Sequence, residues 1–573
     1  MARETGATRP RSVVVPNRLR RRGAVLARLL PSLLAGLIGV GSLPLAPLQA
    51  AEQLQIRFDG LDLPLNLQEL ERWSENPERA SGELASWLSL LDPASQRELR
   101  QLLQAPLVRE RSFTQQLLRS WAGRRVVEEL GVLLSADNGN AGPVLLSTLN
   151  GLLKQQQQVT TLELLRAVPA ERLTLNLDGL QRLASRWRQQ LDEQKQALLA
   201  LQGLPLTSRT PLLPLSDGLL LEQSGSPAVD RAAVPPSVRR LRVGHRLEPL
   251  DLEIWPVQGS HPWVLLMPGL GGSTSQLRWL AEALHRRGWP VLLLDHPGSN
   301  EQAVRELLQG RRLPPGAETL RGRVLDVQAV VAAVDNGSLP RLGDQVVLMG
   351  HSLGGLTALL AAGLRPEPGL VRRCKRALAD LPLINLSRLL QCQLPEVPLP
   401  PVQPLAQPVA AVVNFNGFGS LLWPNRGLRG LEAPALLVGG SLDLITPPVS
   451  EQLRLFLPES NPSSRLVLLE GASHFSPVRI ANRDQQPLFK LGDDLVGVDP
   501  ARVQGLILSL TSEFLLGLVQ PGGPRELPPQ RRRLGGVTAY VLDRSQARQW
   551  QREISARSSP VDQAVPPADP PAR

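Results

Sequence analysis

Six short, uninterrupted apolar runs constrain the fold of this 573-residue chain more than any other feature. They are Trp263–Met267, Val291–Leu294, Val346–Met349, Val409–Val413, Ala435–Val438 and Leu466–Leu469. Several are separated by helix-like stretches such as QLRWLAEALHRRG and VLDVQAVVAAVDN. Buried strands that alternate with helices predict a mostly parallel sheet with helices on both faces, which is the α/β class.

The remaining chain divides around this region. Residues 51–202 are leucine-rich, with Asn66 and Glu69 in a capping-box arrangement, and predict an all-helical N-terminal domain. Prolines, serines and glycines at 203–237 predict a linker. The α/β domain is expected at 238–520, with a Pro-rich insertion at 365–408.

The last segment, 521–573, predicts a C-terminal extension whose low-complexity end is disordered. Its arginine run, Arg531–Arg533, is interpreted as a solvated charge run.

Residues 1–50 have the pattern of an export signal. Arg18 and Arg20–Arg22 precede an uncharged stretch from Leu29 to Ala51, and PLQAAEQ suggests cleavage after Ala50. The protein is therefore expected to be exported, to the periplasm or another extracytoplasmic compartment. The alternative is an N-terminal membrane anchor, because the uncharged run is long enough to span. Association with a membrane or the cell envelope stays open.

The basic charge says little about partners. Eight arginines and one glutamate in the first 50 residues carry most of the net charge of +11. Aromatic residues make up only 3% of the chain, which argues against a stacking platform for nucleic acid. We expect no nucleic-acid partner, and the sequence leaves the oligomeric state open.

Ser352 is the candidate nucleophile. It stands in Gly350-His351-Ser352-Leu353-Gly354, a G-x-S-x-G motif between a predicted strand and a predicted helix. In that context a serine hydroxyl is held at the edge of the sheet. A serine needs a base, and in this architecture the order along the chain is serine, acid, histidine.

His474 is the only histidine after Ser352, and it follows the last strand-like run in GASHFS. Asp443, in GGSLDLITPP, follows another strand and is the candidate acid that orients His474. The strand before it ends in NFNGFGS, which offers no carboxylate.

Two amides are candidates for binding an oxyanion: those of Leu353, next to the serine, and Leu270, in the glycine-rich loop MPGLGGSTS. That loop lacks the lysine of a P-loop. Asp295 and His296, in LDHPGSN, end another strand at the same edge and predict a pocket wall or a turn.

The motifs MGHSLGG, GGSLDLITPP and GASHFS together resemble the serine α/β-hydrolases, near the dienelactone-hydrolase and platelet-activating-factor-acetylhydrolase-like branch. With its leucine-rich N-terminal half, the chain is similar to exported cyanobacterial hydrolases that carry an N-terminal helical domain of unknown function. The resemblance implies the α/β-hydrolase fold and a triad of Ser352, Asp443 and His474. Many relatives have His-Gly where this chain has Pro268-Gly269.

The expected function is an exported serine hydrolase that cleaves small-molecule or lipid-like carboxylic esters, with no metal and no organic cofactor. One alternative is acyl transfer on the same triad. Another is a non-catalytic cell-envelope interaction protein on a hydrolase scaffold. The two cysteines, Cys374 and Cys392, are candidates for a disulfide in an exported protein, although spacing alone leaves the pairing open.

Overall fold

A computed structural model places most of the chain. The residues it describes are 53–58, 61–78, 82–89, 92–104, 106–108, 133–137, 139–156, 159–209, 235–257, 262–308, 311–312, 316–378, 386–396, 398–400, 403–479, 498–519 and 527–558. The expected export signal, the centre of the expected linker and the low-complexity end of the chain lie outside these ranges.

An 11-stranded sheet dominates the described structure. Its strands are β8 Ser208–Arg209, β9 Ser237–Leu241, β10 Leu250–Trp255, β11 Trp263–Met267, β12 Val291–Leu294, β13 Val346–His351, β14 Val409–Phe415, β15 Ala435–Gly440, β16 Arg465–Leu469, β17 Gln530–Leu534 and β18 Val537–Leu542. The order is β8-β17-β18-β16-β15-β14-β13-β11-β12-β10-β9. The six strands from β16 to β12 are parallel to one another and coincide with the six apolar runs. The α/β prediction is confirmed.

Helices cover both faces of this sheet. They are α7 Thr274–Arg286, α8 Glu301–Leu308, α9 Ala317–Asp335, α10 Leu353–Ala361, α11 Leu370–Ala377, α12 Leu386–Gln391, α13 Arg454–Phe456, α14 Pro500–Val519 and α15 Arg544–Ser558, with a π-helical segment at Val449–Leu453 and a 3₁₀ turn at Leu394–Glu396. One core cluster lies on each side of the sheet. Helix α14 is long and apolar enough to cross a membrane, but 72% of its most apolar 18-residue stretch is buried within the protein.

The all-helical prediction for the N-terminal region is wrong. Strands β1 Gln53–Phe58, β2 Leu61–Asn66, β4 Leu134–Ala136, β5 Gly139–Asn140 and β7 Arg172–Asn176 form a five-stranded sheet in the order β2-β1-β7-β4-β5, and β3 Pro106–Val108 pairs with β6 Val159–Thr160. The helices here are α1 Leu67–Glu75, α2 Glu83–Leu88, α3 Pro93–Gln104, α4 Gly142–Gln155, α5 Thr161–Ala167 and α6 Leu177–Gln202. Strands β1 (QLQIRF), β2 (LDLPLN) and β7 (RLTLN) do alternate between polar and apolar residues, but the leucine-rich helices around them obscured this signal, and β4 and β5 are too short to show one.

Helix α6 connects the N-terminal region to the large sheet. Its Ala197, Ala200 and Leu201 are buried in the same core cluster as strands of that sheet. The indole Nε1 of Trp550, on α15, donates to the carbonyl oxygen of Ala197 at 2.7 Å. The end of the predicted N-terminal domain therefore also packs in the core of the large sheet.

Two further boundaries differ from the predictions. Strand β8 lies inside the expected linker and pairs with β17. The expected C-terminal extension supplies β17, β18 and α15, so the sheet continues beyond residue 520. Arg532 is not solvated: it is 1% exposed and pairs with Glu513 on α14. A strand alternates its side chains between faces, so the middle arginine of three points inward.

The insertion after α10 is closed by a disulfide between Cys374 and Cys392. This bond joins α11 to the residue after α12. Glu451, buried in the π-helical segment, accepts hydrogen bonds from Ser387 Oγ at 2.7 Å and from the backbone amides of Gly419 and Ser420 at 3.0 Å. The insertion is thus held against the ends of β14 and β15.

Candidate active site

Ser352 lies on the sharp turn between β13 and α10. Its backbone has φ +52° and ψ −115°, a strained conformation for a residue with a side chain. A Cβ on Gly350 would lie 2.3 Å from the carbonyl carbon of Gly354, and one on Gly354 would lie 2.4 Å from the carbonyl oxygen of Met267. The two glycines of the motif therefore permit the close approach that the turn requires.

Three predicted site residues meet at the carboxyl edge of the parallel strands. Ser352 Oγ lies 3.0 Å from Nε2 of His474, and His474 Nδ1 lies 2.9 Å from Oδ2 of Asp443. His474 follows β16 and Asp443 follows β15, so adjacent strands carry the histidine and the acid. All three residues are buried, with exposures of 7% for Ser352, 5% for His474 and 0% for Asp443.

Asp443 is held by five hydrogen bonds. Its Oδ2 accepts from His474 Nδ1, from Asn416 Nδ2 at 2.6 Å and from Thr446 Oγ1 at 2.5 Å. Its Oδ1 accepts from the amides of Ile445 and Thr446. Burial by itself would raise the pKa of Asp443, but the charge and hydrogen bonds of His474 and Thr446 outweigh it and lower the pKa to about 2. The carboxylate is therefore ionised at neutral pH.

Sequence reasoning missed Asn416 and Thr446 as partners of the acid. Asn416 stands in NFNGFGS, at the end of β14, where the search for a carboxylate failed. Its φ of +50° turns the chain there, a conformation that asparagine tolerates better than most residues. The sequence signal for this contact was an asparagine directly after a strand that ends at the same edge of the sheet as Asp443.

His351, inside the motif, supports the loop that carries the histidine. Its Nε2 donates to the carbonyl oxygen of His474 at 2.8 Å, and the two rings lie 4.9 Å apart. Burial and the neighbouring His474 lower the pKa of His351 to about 3, so its ring is neutral at physiological pH. The second position of the motif accepts many residues, so the motif does not predict this contact.

The two candidate oxyanion residues flank the serine. Leu353 begins α10, so its amide is one of the free donors at a helix N-terminus. On the other side, a Cβ on Gly269 would lie 3.2 Å from the Cβ of Ser352, which places the loop of Leu270 against the serine. The side chain of Leu270 is 39% exposed and that of Phe475, after His474, is 44% exposed.

The other two residues singled out at this edge have separate partners. Asp295 accepts a hydrogen bond from Asn300 Nδ2 at 2.9 Å, within the turn that joins β12 to α8. His296 is fully buried and its Nδ1 contacts Asp326 Oδ2 at 2.8 Å. Within the described ranges, no group of three or more histidine, cysteine, aspartate or glutamate side chains is arranged to hold a metal ion.

Comparison with known families agrees with this architecture. Residues 263–483 match the alpha/beta hydrolase family, and residues 50–176 match a family described as an alpha/beta hydrolase of unknown function. The chain therefore contains an α/β-hydrolase domain. No curated protein matches the chain. The matches do not address a dienelactone-hydrolase-like or cyanobacterial branch, which remains a prediction.

Proposed function

We propose that this protein is an exported serine hydrolase that cleaves carboxylic esters through an acyl-enzyme. The observation that carries the proposal is the buried hydrogen-bonded chain from Ser352 through His474 to Asp443, on a strained turn. A serine hydroxyl, an imidazole and an ionised carboxylate in this order have the geometry for nucleophilic catalysis.

The reaction would follow from this geometry. Ser352 Oγ attacks the ester carbonyl while His474 Nε2 takes its proton, and Asp443 stabilises the resulting imidazolium. The amides of Leu270 and Leu353 donate to the oxyanion. His474 then protonates the departing alcohol, and a water molecule activated by His474 hydrolyses the acyl-enzyme.

The surroundings of the serine favour an apolar substrate. The exposed side chains of Leu270 and Phe475 belong to the two loops that carry the oxyanion residue and the histidine. Exposed large apolar side chains beside a catalytic group suit an acyl chain better than a charged group. We therefore propose lipid-like esters as the preferred class.

Export is the second part of the proposal. The arginine-rich start and uncharged stretch of residues 1–50 support it, and a disulfide such as that between Cys374 and Cys392 is typical of an oxidising compartment. Mass spectrometry of the native protein tests cleavage: an N-terminus near Ala51 supports a processed exported enzyme. An N-terminus near Met1 in a membrane fraction supports the anchor instead.

The catalytic proposal is tested with a fluorophosphonate probe and a panel of p-nitrophenyl esters of graded chain length. The wild-type protein should be labelled and should prefer longer chains. Ser352→Ala and His474→Ala should lose about 10⁴-fold or more in turnover, because triad members act as a unit. Ser338→Ala, at an exposed serine in the loop between α9 and β13, serves as the control.

Two outcomes would change the function. Absence of labelling and hydrolysis in a folded wild-type protein would favour the non-catalytic envelope protein. Labelling of Ser352 with acyl groups that reach an added alcohol faster than water would favour acyl transfer. Retention of most activity by Ser352→Ala would contradict the mechanism.

A further inference from the structure

A buried arginine lies directly behind the active-site turn. Arg323, on α9, is 0% exposed and donates three hydrogen bonds to uncharged oxygens. Its Nη2 donates to the carbonyl oxygen of Pro268, its Nη1 to Ser299 Oγ at 2.8 Å and its Nε to Thr357 Oγ1 at 3.1 Å. The planar guanidinium fork thus fixes three separate segments of chain.

The first two contacts hold both ends of the loop that carries Leu270. Pro268 begins this loop and is fixed by Arg323 through its carbonyl oxygen. At the other end, the amide of Gly271 donates to the carbonyl oxygen of Ser299 at 2.7 Å. Since Arg323 also binds the Ser299 side chain, one residue determines where the Leu270 amide lies.

The third contact reaches the other oxyanion residue. Thr357 Oγ1 accepts from Arg323 and donates its own proton to the carbonyl oxygen of Leu353 at 2.7 Å. Leu353 is the first residue of α10, and its amide is the second candidate donor. Arg323 therefore connects the two segments that supply the oxyanion amides.

The guanidinium of Arg323 remains positively charged although the side chain is buried. Burial lowers the pKa of Arg323 to about 9, and the negative charges of Asp326 and Asp295 limit the decrease. The group stays protonated at neutral pH. Asp326 is bonded to His245, Arg246 and His296. The desolvation cost of a buried charge offsets much of what its contacts contribute, so stability alone does not explain an arginine here.

We propose that Arg323 is a positioning residue that sets the geometry of the oxyanion hole by tying the Pro268–Gly271 loop to the first turn of α10. The inference rests on the proposed esterase function and extends it. The contribution should appear in the transition state, where charge develops on the substrate oxygen, and not in ground-state binding.

The test compares turnover with the affinity of an alkyl trifluoromethyl ketone. Ser352 Oγ adds to the ketone carbon, His474 takes the hydroxyl proton, and the carbonyl electron pair moves to the oxygen that occupies the hole. We expect Arg323→Met to lower kcat and to weaken inhibition about 100-fold, as for a displaced oxyanion donor, with KM changed less than about 3-fold. Arg323→Lys keeps the charge without the fork and should stay at least about 10-fold below wild type.

Thr357→Val keeps the side-chain shape but removes both hydrogen bonds of Oγ1, the one from Arg323 Nε and the one to the carbonyl oxygen of Leu353, while Arg323 keeps its contacts with Pro268 and Ser299. This variant should lower kcat and inhibitor affinity in parallel by about 10-fold. If Arg323→Met does not fold, Thr357→Val still tests the proposal. The matched control is Arg532→Met, which removes another buried arginine, paired with Glu513. This control should lose stability while kcat and inhibitor affinity stay at wild-type values.

The outcomes separate the two proposals. If the wild-type protein hydrolyses esters through Ser352 but folded Arg323→Lys and Thr357→Val keep wild-type kcat and inhibitor affinity, the role of Arg323 is refuted and the esterase stands. If KM rises and kcat is unchanged, Arg323 acts in substrate binding and the inference is also wrong. If the folded wild-type protein neither hydrolyses esters nor binds the ketone, the esterase proposal fails with it.

Discussion

Helix α6 should contribute to the stability of the hydrolase domain, although it belongs to the N-terminal half of the sequence. Leu201 is 0% exposed and lies in the core cluster that includes strands β11 and β13. Leu199, two residues earlier on the same helix, is 40% exposed. Replacing each leucine by alanine changes helix propensity by the same amount, so the difference in stability between the two variants measures the packing of Leu201.

The magnitudes follow from these exposures. Truncating a fully buried leucine removes its packing and leaves a cavity, so Leu201→Ala should lower the free energy of unfolding by about 2–5 kcal/mol. Leu199→Ala should change it by less than about 0.5 kcal/mol, because alanine suits a helix surface. The hydrogen bond from Trp550 to Ala197 lies within one turn, so loss of local helix order would add to the first value.

Urea unfolding of the full chain, followed by circular dichroism and by loss of ester hydrolysis, measures both variants. The Leu201→Ala transition should shift to lower urea in both signals. A chain that begins near Val238 lacks α6 and should be less stable still or insoluble. Equal midpoints for Leu201→Ala and Leu199→Ala, or a fully stable truncated hydrolase, would show that the N-terminal region is an independent domain.

Three further outcomes are expected. Asp443→Asn should lower kcat about 10⁴-fold by leaving His474 in the wrong tautomer. The same change at Asp380, another aspartate after Ser352, in the 365–408 insertion, should not lower it. The folded protein keeps His351 neutral down to a pKa of about 3, while the unfolded chain protonates it near 6.5. The free energy of unfolding should therefore fall as the pH drops from about 6.5, and His351→Gln should reduce that slope by up to about 1.4 kcal/mol per pH unit in urea titrations. Replacing Cys374 and Cys392 together by serine should lower the free energy of unfolding by about 3 kcal/mol in the same assay, because the bond closes a loop between positions with a sequence separation of 18.

The central sheet could be predicted because its strands are buried on both faces. Each of the six parallel strands appears in the sequence as an apolar run, and the alternation of these strands with helices identifies the α/β fold class. Ser352, Asp443 and His474 could be placed at one edge for the same reason: each follows such a run. Chain order then left one histidine after the serine, and the structure brings these three side chains within hydrogen-bonding distance.

The N-terminal sheet and the edge strands could not be predicted in the same way. Strands β4 and β5 have three and two residues, too few for a pattern to emerge. Strand β17 begins with four polar or charged residues, Gln530 and Arg531–Arg533, so composition suggested a solvated segment. Only the tertiary partner Glu513, 19 residues away, explains why Arg532 is buried.

The residues that position the site were hidden for a different reason. Asn416, His351 and Arg323 act through hydrogen bonds to backbone or to another side chain, and no motif spacing records such contacts. The loop with Pro268-Gly269 illustrates the point. Proline has no amide proton to donate, but its carbonyl oxygen can accept, and the Arg323 guanidinium lies at that oxygen. The support for a loop can thus come from a helix more than 50 residues later in the chain, where nothing in the sequence distinguishes Arg323 from the other arginines of that helix.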